Sequence, residues 1–233
     1  LNDSGSETII IAENFASNLQ SILKETSIKN VLITSVGEFL GLKGIMINFV
    51  LRNIRKMVPK YSLPNAVNFK DAINIGSQHK FQEQKIDKED IAFLQYTGGT
   101  TGGVKAAILS HRNVLANAIQ VREWLGEKLK FGEDLAICAL PLYHIFALTC
   151  NSVVYFYFGA NNILITNPRD IPGFVKILKK YKFTFISGVN TLFNKLLEDK
   201  NFQDCDFSKL NITIAGGMPV QKSVGDRWQK TTG

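Results

Sequence analysis

Hydrophobic and polar positions in this chain follow two alternating periods. Short β-rich runs bounded by turn residues predict strands at Thr8–Ala12, Val31–Thr34, Leu135–Leu140, Asn162–Thr166, Phe183–Ser187 and Ile212–Ala215. Between them, apolar residues recur at helical spacing. Asn14–Thr26 aligns Phe15, Leu19, Ile22 and Leu23, and His111–Leu125 aligns Val114, Leu115, Ala118 and Leu125. Further helices are predicted at Tyr143–Tyr157, at Pro172–Tyr181, at Thr191–Lys200 with Asn190 as its cap, and from about Pro219 onward. Thr8–Thr34 reads as a βαβ unit, whereas Asn74–Asp90 is polar and carries no predicted element. Strand–helix alternation of this kind implies an α/β fold of largely parallel, helix-covered sheets.

The most informative segment breaks that alternation. Residues 96–105 read Tyr96-Thr97-Gly98-Gly99-Thr100-Thr101-Gly102-Gly103-Val104-Lys105, flanked by extended runs at Ile91–Tyr96 and Ala106–Leu109. Glycines let successive backbone N–H groups turn toward one anion, and the threonine hydroxyls and the lysine add hydrogen bonds and charge. The combination suits a polyphosphate, although a glycine-rich hairpin turn without a ligand has the same spacing. A Walker loop is excluded, because Val104 intrudes before Lys105 and a helix begins only after Ser110. A Rossmann fingerprint is excluded because its third glycine should lie inside that helix.

Composition narrows the class. A chain of 233 residues, 45% of them apolar, can bury a substantial core as one large or two small domains. The strongest membrane-span candidate, Ile145–Ala160, is interrupted by Thr149, Asn151 and Ser152, and the first residues do not resemble a signal peptide. Cys138, Cys150 and Cys205 are odd in number and widely spaced, which fits structural thiols in a reducing cytosol. The net charge is +7, and no acidic residue falls between Phe39 and Lys70, where Lys43, Arg52, Arg55, Lys56, Lys60 and Lys70 gather. No nucleic-acid motif accompanies them, so nucleic acid is not an expected partner. Over 44–60 a helical wheel sets Ile47, Val50, Leu51, Ile54, Met57 and Val58 opposite Arg52, Arg55, Lys56 and Lys60, with Ile45 and Phe49 breaking the pattern. Such a helix can lie on an anionic membrane surface or simply cover its own protein's core.

The loop resembles the adenylate-forming (AMP-binding) superfamily signature, roughly Tyr/Phe-Thr-Ser-Gly-Thr-Thr-Gly-x-Pro-Lys-Gly. It departs from it at Gly98 for serine, Val104 for proline and Ala106 for glycine. Ser110-His111-Arg112-Asn113, Pro141-Leu142-Tyr143-His144-Ile145-Phe146, Asn167-Pro168-Arg169-Asp170-Ile171-Pro172, Gly188-Val189-Asn190-Thr191-Leu192-Phe193 and Gly216-Gly217-Met218-Pro219-Val220 follow in the order found in bacterial long-chain fatty-acid–CoA ligases. The resemblance runs along nearly the whole chain and identifies it as an internal piece of such an enzyme's large N-terminal domain. Within it, 1–90 would be the βαβ start and basic segment, 91–110 the phosphate-loop hairpin, and 111–233 the acyl and adenine region. The small C-terminal domain would lie outside the piece.

The resemblance implies an ATP-dependent ligase that makes acyl-AMP and pyrophosphate from a long-chain fatty acid, then acyl-CoA from coenzyme A. Thr97, Gly98, Gly99, Thr100, Thr101, Gly102 and Lys105 would wrap the ATP phosphates, with Thr100 also assigned to Mg2+. Gly216, Gly217, Met218 and Pro219 would back the adenine. Val189, Asn190 and Phe193 would line the acyl tunnel. His144 would lie beside the acyl carboxylate and the path of the thiol, so that Lys105, His144 and Thr100 carry the catalytic assignments. For His144 the alternative is a core histidine, for Gly216-Gly217 a tight turn, and for Val189 and Phe193 ordinary packing. His111 is read as packing or capping and His79 as exposed. The family often forms dimers; a cytoplasmic location is expected from the cysteine usage, and peripheral membrane contact through 44–60 is the membrane alternative for the basic helix. Two rivals stand: an acyl-AMP ligase serving a carrier protein, and a non-catalytic nucleotide- or membrane-binding module. The piece alone is expected to make no acyl-CoA, and uncovered apolar edges should leave it weakly stable or self-associating.

Overall fold

The structure is a computed structural model that describes residues 1–98 and 104–233. Its contacts gather into two units, Leu1–Lys85 and Ile86–Gly233.

In the first unit, β1 (Thr8–Ala12), α1 (Ala16–Ile22) and β2 (Asn30–Thr34) form the expected parallel βαβ unit, in register from Thr8 opposite Asn30 to Ala12 opposite Thr34. α1 has a 3-10 turn at each end, and these shift the phase of the apolar stripe. Ala16 and Leu19 are buried, while Phe15 and Ile22, expected on the inner face, are exposed. Just before and into the start of the polar stretch lie two elements that the hydrophobic pattern missed. Short β3 (Val67–Asn68) pairs parallel with β2, and α3 (Phe69–Ser77) follows, its first N–H groups capped by the Asn68 side chain from Lys70 N at 3.0 Å and Asp71 N at 3.4 Å.

The basic segment is also rearranged. α2 (Gly41–Phe49) passes into a π-helical turn, Val50–Ile54, and stops near Lys56, which takes a left-handed φ of 49°. Gly44 is buried against Gly37 so closely that a Cβ there would collide with the Gly37 carbonyl. That contact fixes the rotation of the helix. Ile47, Val50 and Leu51 turn inward as expected, but Leu42, Ile45, Met46 and Phe49 form a second, outward apolar face, with Leu42 86% exposed. Ile54 and Met57, expected on the inner side, are exposed as well. Arg52 is not a free surface cation. Its Nε lies 2.9 Å and its terminal nitrogen 2.7 Å from Oε2 of Glu13, a carboxylate only 1% exposed.

In the second unit, β4 (Ile91–Thr97) and β5 (Lys105–Ser110) form an antiparallel hairpin that pairs Thr97 with Lys105 across the glycine-rich segment. α4 (His111–Leu125) starts as predicted. Ser110 Oγ accepts from Asn113 N at 3.3 Å while Asn113 Oδ1 accepts from Ser110 N at 3.0 Å, a reciprocal capping box. Ser110, not His111, is therefore the cap. Leu115 is exposed and only Ala118 and Leu125 of the expected stripe are fully buried.

The remaining strands, β6 (Leu135–Cys138), β7 (Asn161–Leu164), β8 (Phe185–Gly188) and β9 (Ile212–Ala215), form one parallel sheet in the order β7-β6-β8-β9. Between β6 and β7 runs one helical segment, α5 (Ile145–Ala147), a π-helical stretch Leu148–Val154 and α6 (Tyr155–Tyr157). α7 (Ile171–Leu178), α8 (Asn190–Glu198) and α9 (Lys222–Thr232) complete the set. Alternate strand residues feed opposite faces. Ala136, Phe185 and Ile212 pack with Val154, Tyr155 and Leu125, whereas Ile137 and Ile186 pack with Phe174, Leu178, Leu196 and Trp228. All three cysteines are buried and free, and burial pushes the Cys150 and Cys205 thiols up to about 11, as suits structural rather than reactive groups. No described helix is long and apolar enough to cross a membrane.

The Glu13–Arg52 pair offers a stability test. Arg52→Ala leaves the Glu13 carboxylate buried without its partner, a change that costs about 3–5 kcal/mol for a fully buried pair. Arg52 itself is 51% exposed, and solvent reduces the expected loss to about 2 kcal/mol. The double substitution Arg52→Ala with Glu13→Gln should recover part of it, read as the shift in denaturation midpoint; equal midpoints for Arg52→Ala and the parent would remove the pair from the account.

Candidate active site

Strand order reverses between β6 and β8: from β6 the chain moves to β7 on one side, then returns to β8 and β9 on the other. Open α/β sheets hold ligands outside the carboxyl ends of their strands at such a switch point. The segments that leave those ends carry most of the residues singled out in the sequence.

After β6, His144 N donates to Pro141 O at 2.9 Å, which turns the chain, and His144 Nδ1 accepts from Phe146 N at 3.3 Å. His144 is therefore the N-cap of α5 and is exposed at the sheet edge rather than packed in a core. Phe146, two residues on, lies against the turn after β9: a Cβ on Gly216 would come within 2.8 Å of its ring. Gly216 N donates to Gly188 O at 3.1 Å, extending the β8–β9 ladder by one bond. Gly217 takes φ +80°, a left-handed conformation that glycine adopts without strain, and faces Val189. Met218 and Pro219 continue the same exposed turn, and α9 starts at Lys222 rather than near Pro219.

After β8, Val189 is half-buried, but Asn190 does not cap its helix. The cap position is Val189, with no side-chain bond, and Asn190 Oδ1 instead accepts from Gln221 N at 2.9 Å. The amide therefore ties the start of α8 to the start of α9, because burial beside the β9 turn gives it a nearer donor than its own helix. Phe193 is 3% exposed, set beneath Gly188 and against Trp228 at a ring-centroid distance of 4.5 Å. It forms the floor under the site and makes no open wall.

The hairpin joins this group. Gln95 Nε2 donates to the Tyr143 carbonyl at 3.4 Å, linking β4 to the residue before His144. Thr97 Oγ1 donates to Lys105 O at 3.4 Å, closing the base of the loop, and Gly98 and Lys105 are exposed there. Gly99, Thr100, Thr101 and Gly102 lie outside the described residues. An apolar cleft of about 320 Å³ opens between the ends of β6 and β7, walled by Leu140, Leu142, Tyr143, Leu164 and Ile165, with His144 the next residue in the chain after this wall. A wider hollow of about 680 Å³ lies at the opposite, amino-terminal edge, where Lys128, Lys130 and Lys209 alternate with Glu133 and Asp134. That edge is not the ligand edge of a parallel sheet, and its charges offset one another. Sequence reasoning missed the polar cluster of buried Asn151 and Ser187 with half-buried Asn162 beneath the site. Its only signal was the set of polar residues interrupting the apolar run at Ile145–Ala160.

Among the described residues no three or more His, Cys, Asp or Glu side chains converge to hold a metal. The arrangement is an open, glycine-lined edge with one imidazole, one loop lysine and an adjoining apolar cleft, and among the described residues it contains no hydrogen-bonded nucleophile–base pair.

Known proteins match along the whole length. The family model for AMP-binding enzymes covers residues 1–233. A long-chain-fatty-acid–CoA ligase of Salmonella typhimurium is 52% identical over 234 residues, covering 100% of this chain but 42% of the relative. Among solved structures, an anthranilate–CoA ligase bound to anthranoyl-AMP superposes with a TM-score of 0.76 at 18% identity, over 100% of this chain and 40% of its own. A long-chain-fatty-acid–CoA ligase from Archaeoglobus fulgidus gives 0.70 at 23% identity, over 99% of this chain and 40% of its own. At those identities the superpositions establish the α/β fold, and the chain spans about two-fifths of the length of these relatives. With its loop, its switch-point edge and a family match from end to end, the chain belongs to the AMP-binding enzymes.

Proposed function

We propose that this chain is the phosphate-loop and acyl-pocket portion of a long-chain fatty-acid–CoA ligase. One observation carries the reading: His144, Val189 and the Gly216-Gly217 turn meet at the carboxyl edge of one parallel sheet, with the base of the threonine-glycine loop tied to them through Gln95 and Tyr143. The names of the relatives favour coenzyme A over a carrier protein as acceptor.

The reaction needs no protein nucleophile. A fatty-acid carboxylate oxygen attacks the α-phosphorus of ATP, the bond to the bridging oxygen breaks, and pyrophosphate leaves. The coenzyme A thiol, losing its proton, then attacks the acyl carbon and expels AMP. Positioning and charge neutralisation are the protein's share. Lys105 supplies a cation at the loop base, and exposed backbone around Gly98 supplies N–H donors for the leaving phosphates. The Gly216-Gly217 turn presents flat backbone on which an adenine ring can lie. The apolar cleft between the ends of β6 and β7 suits an alkyl chain, and the exposed imidazole of His144, which follows the cleft's Tyr143 in the chain, orients the carboxylate. Magnesium would supply further neutralising charge; Thr100, assigned to it by resemblance, lies outside the described residues, and no step is routed through the metal.

A membrane surface is the second part of the reading. The outward face of α2, Leu42, Ile45, Met46 and Phe49, is flanked by Lys43, Arg55 and Lys56 in a stretch without acidic residues. Apolar residues rimmed by cations suit shallow insertion among anionic headgroups.

In the full-length enzyme, Lys105→Ala should cut fatty-acid-dependent pyrophosphate release by about two to three orders of magnitude with the fold unchanged, the usual loss when an electrostatic contact to a transferring group is removed. Unaltered release would sink the lysine assignment. His144 needs two variants, because its side chain also caps α5. Asparagine keeps a capping oxygen, so His144→Asn should retain the thermal midpoint yet, like His144→Ala, lose turnover with much less effect on ATP binding. Normal turnover in His144→Asn would reduce the histidine to a cap. For the membrane, Lys43, Arg55 and Lys56 are changed together to glutamine, sparing Arg52 because it is committed to Glu13. Each basic residue near an anionic surface contributes about 1 kcal/mol, so vesicle adsorption should fall about a hundredfold; adsorption absent in the parent or unchanged in the variant would leave α2 without this role.

A further inference from the structure

We infer that Asn151 is a positioning residue that sets the distance between the His144 helix and the β8 wall of the site, an inference that rests on the ligase reading above. Asn151 and Ser187 are each 0% exposed. The Asn151 side chain accepts from Ser187 Oγ at 2.8 Å and donates to Asn162 Oδ1 at 3.2 Å, while Asn162 Nδ2 donates back to the Asn151 carbonyl at 2.8 Å. One amide thus bridges β8 and β7 from a helix that lies across both.

An amide in that place is costly unless every bond is made, and an apolar side chain could cover a sheet at less expense. What the amide adds is a fixed geometry. It sits in the π-helical stretch Leu148–Val154, a backbone form that is rare and concentrated at functional sites. The same helical segment begins at the His144 cap, about two turns away. Its second end of leverage is short as well. Ser187 immediately precedes Gly188, whose carbonyl receives the Gly216 N–H, and Val189, which faces Gly217. Two sides of the site, the imidazole and the glycine turn, are therefore connected beneath their floor through one hydrogen bond between Asn151 and Ser187. Phe146 against Gly216 makes a second, apolar tie near the surface. The bond from Asn151 to Asn162 runs instead to β7, on the far side of β6, and supports the helix without reaching the glycine turn.

That asymmetry separates positioning from stability. In the full-length enzyme, Ser187→Ala removes one oxygen atom and cuts only the tie to β8, while Asn162→Ala cuts only the tie to β7. Fatty-acid-dependent pyrophosphate release is measured with palmitate at a temperature well below each melting point. Ser187→Ala is expected to lower kcat by about ten- to hundredfold, the scale of a small misplacement of reacting groups, with KM for ATP within about twofold of the parent. Ser187→Thr, which keeps the hydroxyl, should restore most of kcat, and Asn162→Ala should melt earlier but turn over normally. Asn151→Ala should reproduce the kcat loss; if it does not fold, Ser187→Ala decides alone. Equal kcat in Ser187→Ala, Asn162→Ala and the parent, with only melting points shifted, overturns the inference. A parent enzyme that releases no pyrophosphate with palmitate overturns the ligase reading itself, a failure visible before any variant is made.

Discussion

The parallel pairing of β6 with β8 is the constraint on which the second unit depends. Both strands are covered on two faces, so their N–H and C=O groups have only each other and their other neighbours as partners. Because the two strands are parallel, each needs a helical crossover. Because β7 lies on one side of the pair and β9 on the other, those crossovers diverge, and the carboxyl edge between them stays open. His144, Val189 and Gly216 reach one place since each follows a strand of this sheet at the same edge. None of them is near another in the chain.

The site's chemistry follows from that openness. Backbone and small residues dominate it: Gly188 and Gly216 allow the Phe193 and Phe146 rings to come against main chain, and Gly217 takes a left-handed turn. A ring or a phosphate can come as close to such an edge as a side chain does. The charged groups are few, which suits the proposed ligase reaction, whose difficulty lies in aligning two reactants and spreading charge over phosphate oxygens. Beneath this open edge sits a hydrogen-bonded polar group, the Asn151–Asn162–Ser187 cluster.

In the first unit, a single close approach has comparable leverage. Gly37 against Gly44 leaves no room for a Cβ and so sets the rotation of α2, and the Glu13–Arg52 pair holds the following π turn to the start of α1. Together they decide which of two apolar stripes on the same helix is inward. The helix is apolar nearly all round, and a wheel cannot choose between its faces.

The sequence by itself determined the strand–helix order outside β3 and α3, the loop hairpin, the capped start of α4 and the family, because these rest on local spacing: alternation, 3.6-residue periodicity, Ser110 with Asn113, and an uncommon run of threonine and glycine. It also marked His144, Val189 and Gly216-Gly217 through motifs. Tertiary structure alone decided what those residues do for one another. α3 escaped notice because it is short and its start is marked by the Asn68 cap rather than by a long apolar stripe, and the phase of α1 slipped with its 3-10 ends. Asn190 lost its expected cap to a donor at Gln221, a residue distant in the chain and adjacent in space. Arg52 lost its solvent-facing role to Glu13 in the same way. The Asn151–Ser187 bond spans a separation that no sequence period encodes. Hydrogen bonds and ion pairs take whichever partner burial brings near, and burial is a property of the whole fold.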